Sequence, residues 1–149
     1  MNYVRLVHII EINASADKVW DALWLPENYQ IWTVHFVGGS VMKSDWTIGG
    51  RIYFLRLNGD GLISSILSKN KPYGISFSHL GLIKNGVESL FDKTENPEFL
   101  NACETYELNE VSGVTTLKTA SFVSEDYIEM FQNGFVKGFQ IVKEIAENS

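Results

Sequence analysis

Residues 15–23, Ser-Ala-Asp-Lys-Val-Trp-Asp-Ala-Leu, decide the fold because they turn an alternating strand pattern into a helix. In the run before them, residues 4–12, every second side chain is predominantly apolar, which predicts a strand with one buried face. Ser15 suits the N-cap position, where its hydroxyl accepts a hydrogen bond from a free backbone N–H. Pro26 then predicts the start of a second short helix, through Trp32.

The other end of the chain carries one long amphipathic helix pattern, from Ser124 to about Glu147. Its apolar side is predicted to hold Tyr127, Ile128, Phe131, Phe135, Val142 and Ile145. Gly134 and Gly138 lie one turn apart on this side, and each costs about 1 kcal/mol relative to alanine in a helix interior. Two explanations stay open: the helix backbone packs closely on its neighbours, or the missing side chains leave space for a ligand.

Short strands and tight turns fill the middle of the chain. The predicted strands are residues 36–42, 51–57, 62–68, 73–80, 101–108 and 114–122. Turns are indicated at Gly49-Gly50, at Asn58-Gly59-Asp60-Gly61 and at Ser112-Gly113. This order predicts a single α+β domain over residues 1–149, with a curved antiparallel sheet wrapped around the long C-terminal helix and two short helices after the first strand.

The segment 81–100 is long for a connection in a compact domain. It contains an Asn85-Gly86 turn, several acidic residues and an Asn96-Pro97 break. A lid or binding loop is one interpretation. The other is a local hairpin followed by one helical turn, held by Leu90, Phe91 and Phe99.

Composition excludes several classes of protein. The net charge of −6 and a pI near 5.0 provide no basic face for nucleic acid. Cys103 is the single cysteine, so no disulfide forms within the chain, and no apolar stretch is long enough to span a membrane. The N-terminus has no secretory pattern, and a cytoplasmic location is expected. Aromatic residues reach 13%, which suits a bulky core or a cavity lined by rings.

A family resemblance is spread over nearly the whole chain. It is carried by Ile12-x-Ala14, Lys18 to Leu23, Pro26-Glu27, Trp32, Asp45-Trp46, Gly49 to Phe54, Pro72 with Ile75 and Phe77, Glu104 to Leu108, and Gly113 to Leu117. These residues resemble the START-like, or SRPBCC, helix-grip superfamily, which includes START lipid carriers, birch-pollen-allergen-like proteins and polyketide cyclases. The most similar branch is the homologues of the C-terminal domain of the activator of the ninety-kilodalton heat-shock chaperone ATPase. Leu25 departs from this pattern, because the family usually has a capping residue such as aspartate there.

The resemblance implies a helix-grip fold with room for an apolar ligand between the sheet and the last helix. Together with the many rings and the two helix glycines, it predicts a non-catalytic module that binds a small hydrophobic or amphipathic molecule. The predicted ligand-binding residues are Trp46 near the entrance and Phe54, Arg56, Phe77, His79, Tyr106, Phe131 and Phe135. No catalytic residue, metal ligand or cofactor is assigned.

Several residues carry more than one interpretation. His79 shares a strand face with Phe77, and it either donates to a ligand or is a structural histidine. Arg56 either binds a carboxylate or phosphate in the cavity or lies near a strand end in water. Trp24 either packs in the core or lies at a pocket mouth or dimer contact, and Cys103 is expected to be inert.

Two further function classes are carried as alternatives. One is a START-like enzyme of the cyclase, dehydratase or hydrolase type, with His79 or Tyr106 as acid–base. The other is an ATPase-stimulating, co-chaperone-like interaction protein. The chaperone activator has a domain before the part that this chain resembles, whereas the first strand here starts near residue 3, which counts against this role. The partners considered are therefore the small molecule, a second copy of the chain in a homodimer, and a chaperone.

Overall fold

A computed structural model describes residues 3–36, 41–92 and 103–149. The first part of the chain forms β1 (Tyr3–Ile12), α1 (Ala16–Trp24), α2 (Pro26–Trp32) and a 3-10 turn (Thr33–His35). The strands that follow are β2 (Val41–Ser44), β3 (Arg51–Leu55), β4 (Gly61–Asn70), β5 (Gly74–Lys84), β6 (Val87–Leu90), β7 (Cys103–Val111) and β8 (Val114–Ser124). A second 3-10 turn (Glu125–Tyr127) leads into the long helix α3 (Ile128–Glu147).

The described strands form one antiparallel sheet in the order β1-β8-β7-β5-β4-β3-β2, with β6 paired to β5 outside this path. Two irregularities in the pairing of β4 with β5 bend the sheet, since a bulge locally increases twist. Helix α3 packs on the inner face of the curved sheet and on α1 and α2. The predicted α+β helix-grip architecture is thus confirmed.

The core lies between α3, the short helices and the inner sheet face. It includes Phe135, Phe139, Val142 and Ala146 from α3, and Ile52, Ile66, Ile75, Phe77, Tyr106, Leu108 and Leu117 from the sheet. Phe139 is buried although the sequence analysis did not place it on the apolar side, whereas Tyr127 is 54% exposed. Tyr127 is exposed because the chain passes through the 3-10 turn there, before the helical periodicity of α3 begins.

The two short helices begin as predicted. The Ser15 hydroxyl accepts a hydrogen bond from the backbone N–H of Lys18 at 3.3 Å. Leu25 offers no side-chain cap to α2, and Pro26 occupies its first turn. The indole N–H of Trp32 donates to the carbonyl of Leu23 at 2.9 Å and so ties the two helices together in the interior.

Several strand limits differ from those expected. The strand predicted at 36–42 is described from Val41 to Ser44, and residues 37–40 lie outside the described ranges. Phe36 is not part of a strand, since its ring packs against those of Trp32 and Phe135. Strand β3 stops at Leu55 because the backbone N–H of Arg56 bonds the carbonyl of Asp60 and closes the turn. The long C-terminal helix starts at Ile128 after the 3-10 turn, which Ser124 caps at the N–H of Asp126.

The segment 81–100 opens with the predicted local hairpin. Strand β5 continues to Lys84, Asn85-Gly86 forms the turn, and β6 returns to Leu90. The proposed helical turn, the Asn96-Pro97 break and Phe99 lie outside the described residues. The lid interpretation of this segment therefore stays a prediction.

Close packing accounts for both glycines of α3. A Cβ on Gly134 would lie 2.7 Å from the ring of Phe36, and a Cβ on Gly138 would lie 2.7 Å from the backbone carbonyl of Trp32. Both distances are too short for a carbon atom. The helix therefore comes closer to the short helices than any larger residue would allow.

We expect Gly138→Ala to lower the free energy of unfolding by about 1–2 kcal/mol, because overpacking against rigid backbone outweighs the gain of about 1 kcal/mol in helix propensity. Gly134→Ala is the matched variant, since its added methyl meets only a Phe36 side chain that can rotate. Urea unfolding of both variants measures the difference. Equal stability of Gly138→Ala and the wild type would contradict this packing.

No helix in the described ranges is long and apolar enough to cross a membrane.

Candidate functional site

A cavity of about 650 Å³ lies between the sheet, the start of α3 and the segment from Tyr29 to Phe36. Eight rings line it: Tyr29, Trp32, Phe36, Phe54, Tyr106, Tyr127, Phe131 and Phe135. Leu62 and Leu82 add aliphatic surface from β4 and β5. An apolar cavity of this size with few polar groups is typical of small-molecule sites.

Five of the eight predicted site residues line this cavity: Phe54, Arg56, Tyr106, Phe131 and Phe135. Phe131 and Phe135 come from one face of α3, because residues four apart in a helix project to the same side. Phe54 reaches the cavity from β3, and Tyr106 reaches it from β7. Ligand binding by these residues is a prediction that their positions make testable.

The other three predicted residues are not among those that line the cavity. Phe77 is fully buried in the core, with its ring 5.3 Å from that of Phe54 and 6.3 Å from that of Tyr106. The Nδ1 atom of His79 lies 2.9 Å from the buried Ser64 hydroxyl on the neighbouring strand. This contact accords with the structural interpretation of the histidine.

Trp46 lies in a separate depression of about 300 Å³, which Trp20, Trp24 and Lys69 also line. Its φ of 62° is in the left-handed region, which a bulky side chain rarely adopts. The Lys69 ammonium donates to the Trp46 carbonyl at 2.6 Å and helps to hold this conformation. Trp24 is buried, with its ring 6.1 Å from that of Trp46, so it packs in the core.

The polar centre of the cavity is a carboxyl group paired with a phenol. Glu104 and Tyr106 alternate on β7, so both project to the inner face of the sheet. The Tyr106 hydroxyl donates to Oε1 of Glu104 at 2.9 Å. Ser121 is the cross-strand neighbour of Glu104 on β8, and Phe77 is its neighbour on β5.

Burial changes the acidity of this pair. Loss of hydration raises the pKa of Glu104 to about 6, and the hydroxyls of Tyr106 and Ser121 oppose this only in part. Burial also raises the pKa of Tyr106 well above its ordinary value, and the neighbouring Glu104 charge adds to this. Tyr106 is therefore a neutral donor at neutral pH, whereas Glu104 changes charge slightly below it.

The Ser121 hydroxyl is close enough to Glu104 to favour its charged form, but neither this hydroxyl nor Nε2 of His8 has a hydrogen bond of good geometry in the described part of the chain. The His8 ring lies 5.2 Å from the ring of Phe135, and burial lowers the pKa of this histidine. His8 pairs with Thr119, which pairs in turn with Tyr106. Polar side chains thus lie side by side on β7, β8 and β1, on the sheet face that α3 covers.

Charged residues of the cavity wall other than Glu104 gather at its mouth. Arg56 and Lys84 are exposed, and neither forms an ion pair with another described residue. Asp60 accepts the backbone N–H of Asn85 at 2.9 Å and so joins the two hairpin turns. Arg56 thus occupies the water-exposed position just after a strand end.

Sequence reasoning did not single out Glu104, although a signal was present. Glu104, Tyr106 and Leu108 share one strand face, and an acid in line with buried apolar residues predicts an inward carboxyl. Tyr29, Trp32 and Phe36 were also missed as lining residues. Their short helical segment shows no periodicity long enough to distinguish its cavity face from its outer face.

In residues 3–36, 41–92 and 103–149, no three His, Cys, Asp or Glu side chains come together as a metal site would require. Cys103 is half-buried and lines a shallow depression with Arg5 and Phe122, away from the main cavity.

Comparisons with solved structures identify the fold. The solution structure of the Aha1 dimer from Colwellia psychrerythraea matches with a TM-score of 0.69 and 16% identity, over 97% of this chain and 96% of that one. A protein from Nitrosomonas europaea matches with a TM-score of 0.70 and 17% identity, over 97% and 94% of the two chains. CalU16 from Micromonospora echinospora matches with a TM-score of 0.65 and 17% identity, over 97% of this chain and 66% of that one.

No protein-family model matches the sequence, and no curated protein matches it. The structural likenesses at this low identity therefore establish the fold alone. The chain has the START-like helix-grip fold, as the sequence resemblance predicted.

Proposed function

We propose that this protein binds a small amphipathic molecule in the cavity between its sheet and α3, without converting it. The observation that carries the proposal is the cavity of about 650 Å³, with eight rings in its wall and the Glu104–Tyr106 pair as its polar centre. Apolar walls supply binding energy by removing surface from water, and a few polar groups fix the orientation.

The apolar groups and the hydrogen-bonding groups lie in different parts of the cavity. Phe54, Phe131 and Phe135 offer ring surfaces to an apolar body, while Tyr106 and Glu104 offer hydrogen-bonding groups inside. Arg56 and Lys84 at the mouth would contact only the outer end of a bound molecule. A ligand with an apolar body and at least one polar end fits this arrangement of groups.

We expect Leu62→Trp to abolish binding, because the larger side chain would occupy the cavity that Leu62 lines. Leu67→Trp is the matched control on the same strand, since Leu67 is 53% exposed and does not line the cavity. Native mass spectrometry of protein purified from its own host should show a retained small molecule in the wild type and in Leu67→Trp only. Titration with the neutral fluorescent probe N-phenyl-1-naphthylamine gives a second readout. Equal retention and equal probe affinity in Leu62→Trp would overturn the cavity as the site.

A second candidate, acid–base catalysis, is favoured by one observation. Tyr106 donates to a buried carboxyl whose pKa of about 6 suits proton transfer near neutral pH. His79, the other residue considered, bonds Ser64 and does not line the cavity. Conversion of the retained molecule by the wild type but not by Tyr106→Phe would favour this candidate over simple binding.

A second copy of the chain is the protein partner that the comparisons favour, because the matching Colwellia protein is described as a dimer. A chaperone partner has no support beyond the shared fold.

A further inference from the structure

Glu104 differs from every other charged residue of the cavity wall in its position. Arg56 and Lys84 are exposed at the mouth, and Asp60 is held there by the backbone of Asn85. Glu104 instead lies near the start of β7, on the same strand face as the buried Tyr106 and opposite the fully buried Phe77 on β5. Among the described lining residues, the interior therefore carries one ionisable carboxyl group and no cation.

The partners of this carboxyl group are incomplete. The Tyr106 phenol donates to it at 2.9 Å and the Ser121 hydroxyl lies nearby, and it forms no ion pair with another described residue. A buried carboxylate is costly unless a positive group or several donors compensate it. Two neutral hydroxyls compensate it only in part. Among the described residues, this negative group therefore has no counter-charge.

The surroundings of this group suit a cation. The rings of Phe36, Phe54, Tyr127 and Phe131 line the same cavity and are not fully buried, and the faces of aromatic rings attract an ammonium group within about 6 Å. The Tyr106 hydroxyl donates to Glu104 and so holds the carboxyl group in place at the cavity wall. A carboxylate and several rings around one space together form the chemistry that recognises organic ammonium ions.

We propose that the ligand is an organic ammonium ion, whose positive nitrogen pairs with Glu104 and whose apolar body lies against Phe54, Phe131 and Phe135. This inference deepens the proposed binding function and rests on it. An anionic ligand group placed inside would meet Glu104 as a like charge. At physiological salt the charges of the exposed Arg56 and Lys84 are largely screened beyond about 8–10 Å.

The test uses three probes that share one apolar chain and differ in the head group: octylammonium, octan-1-ol and octanoate. Isothermal titration at pH 7.5 compares them on the wild type, on Glu104→Gln and on the matched control Glu107→Gln. Glu107 is exposed on the same strand and projects to the other face of the sheet, so its substitution removes the same charge elsewhere.

We expect octylammonium to bind the wild type at least about tenfold more tightly than either other probe, since a hydrogen bond to a charged group contributes about 1.5–3 kcal/mol. Glu104→Gln should remove this preference and leave octan-1-ol binding within about twofold, whereas Glu107→Gln should change neither. If octan-1-ol or octanoate binds as tightly as octylammonium, or if Glu104→Gln binds octylammonium like the wild type, the ammonium proposal is wrong while cavity binding stands. If no probe binds and no molecule is retained from the host, both proposals are overturned.

Discussion

Trp24→Ala is expected to lower the free energy of unfolding by about 3–5 kcal/mol, the largest loss among the substitutions considered. The indole is 5% exposed and lies at the centre of a ring cluster. Its ring is 4.9 Å from that of Tyr106, 5.6 Å from that of Phe77 and 5.8 Å from that of Tyr29. Truncation would lose both the transfer free energy of the indole and its contacts around the resulting void. Because domains are stable by only about 5–15 kcal/mol, urea unfolding should show a large shift in midpoint.

Two phenylalanine substitutions separate packing from hydrogen bonding. Nε1 of Trp24 is buried without a partner in the described part of the chain, whereas Nε1 of Trp32 donates to the carbonyl of Leu23 at 2.9 Å. Trp24→Phe removes an unpaired donor, but Trp32→Phe leaves a buried carbonyl without its partner, which costs about 1–3 kcal/mol. Trp32→Phe should therefore be the more destabilising of the two. The reverse order would show that the indole N–H of Trp24 has a role that these contacts do not explain.

Glu104→Gln is expected to stabilise the protein by about 2 kcal/mol at pH 7.5 and to have no such effect at pH 4. Burial raises the pKa of Glu104 from 4.5 to about 6, so the folded state holds this proton more tightly than the unfolded state. The stability contributed by the neutral acid is present below pH 4.5 and is lost as the pH rises through about 6. At about 1.4 kcal/mol per pH unit, this interval corresponds to about 2 kcal/mol. Glutamine stays neutral and keeps an oxygen that can accept the Tyr106 hydroxyl.

Urea unfolding of ligand-free wild type and Glu104→Gln at pH 4 and at pH 7.5 measures this effect. Burial lowers the pKa of His8 and gives the opposite pH dependence, but His8 is present in both proteins and cancels in the comparison. Glu107→Gln serves as the exposed control on the same strand. A stability difference between Glu104→Gln and the wild type that is the same at both pH values would contradict a buried, proton-linked carboxyl.

The two glutamate tests bear on each other. If Glu104→Gln makes the chain more stable but weakens octylammonium binding, the carboxyl is maintained at a cost to stability, as residues at binding sites often are. This combination would distinguish a functional carboxyl from one that merely fills space.

Local sequence patterns predicted most of the secondary structure and its order along the chain. The alternation in residues 4–12, the Ser15 cap and the Asn85-Gly86 turn each depend on near neighbours, and each is found in the structure. The limits of β2 and the start of α3 were less well predicted. There, contacts of Phe36 with distant rings and the 3-10 turn before Ile128 overrode local preference.

The cavity shows the same division between local and distant effects. Helical periodicity placed Phe131 and Phe135 on one apolar side, the fold resemblance added Tyr106 as a candidate, and all three line the cavity. His79 follows the same face pattern, yet it bonds Ser64 on β4 and lies outside the lining. The pairing irregularity between Ile63 and Ser64 changes which side chains face the cavity, and a bulge of this kind leaves no clear mark in one sequence.

The sequence by itself thus determined the helix-grip frame, since strand alternation, turn residues and one long amphipathic helix are short-range properties. Tertiary structure alone decided that Gly134 and Gly138 serve close packing, that Trp24 belongs to the core, and that the half-buried Glu104 lines the cavity beside Tyr106. The physical reason is that burial, hydration and contact depend on side chains far apart in the chain. Those side chains meet only after the sheet has curved around its helix.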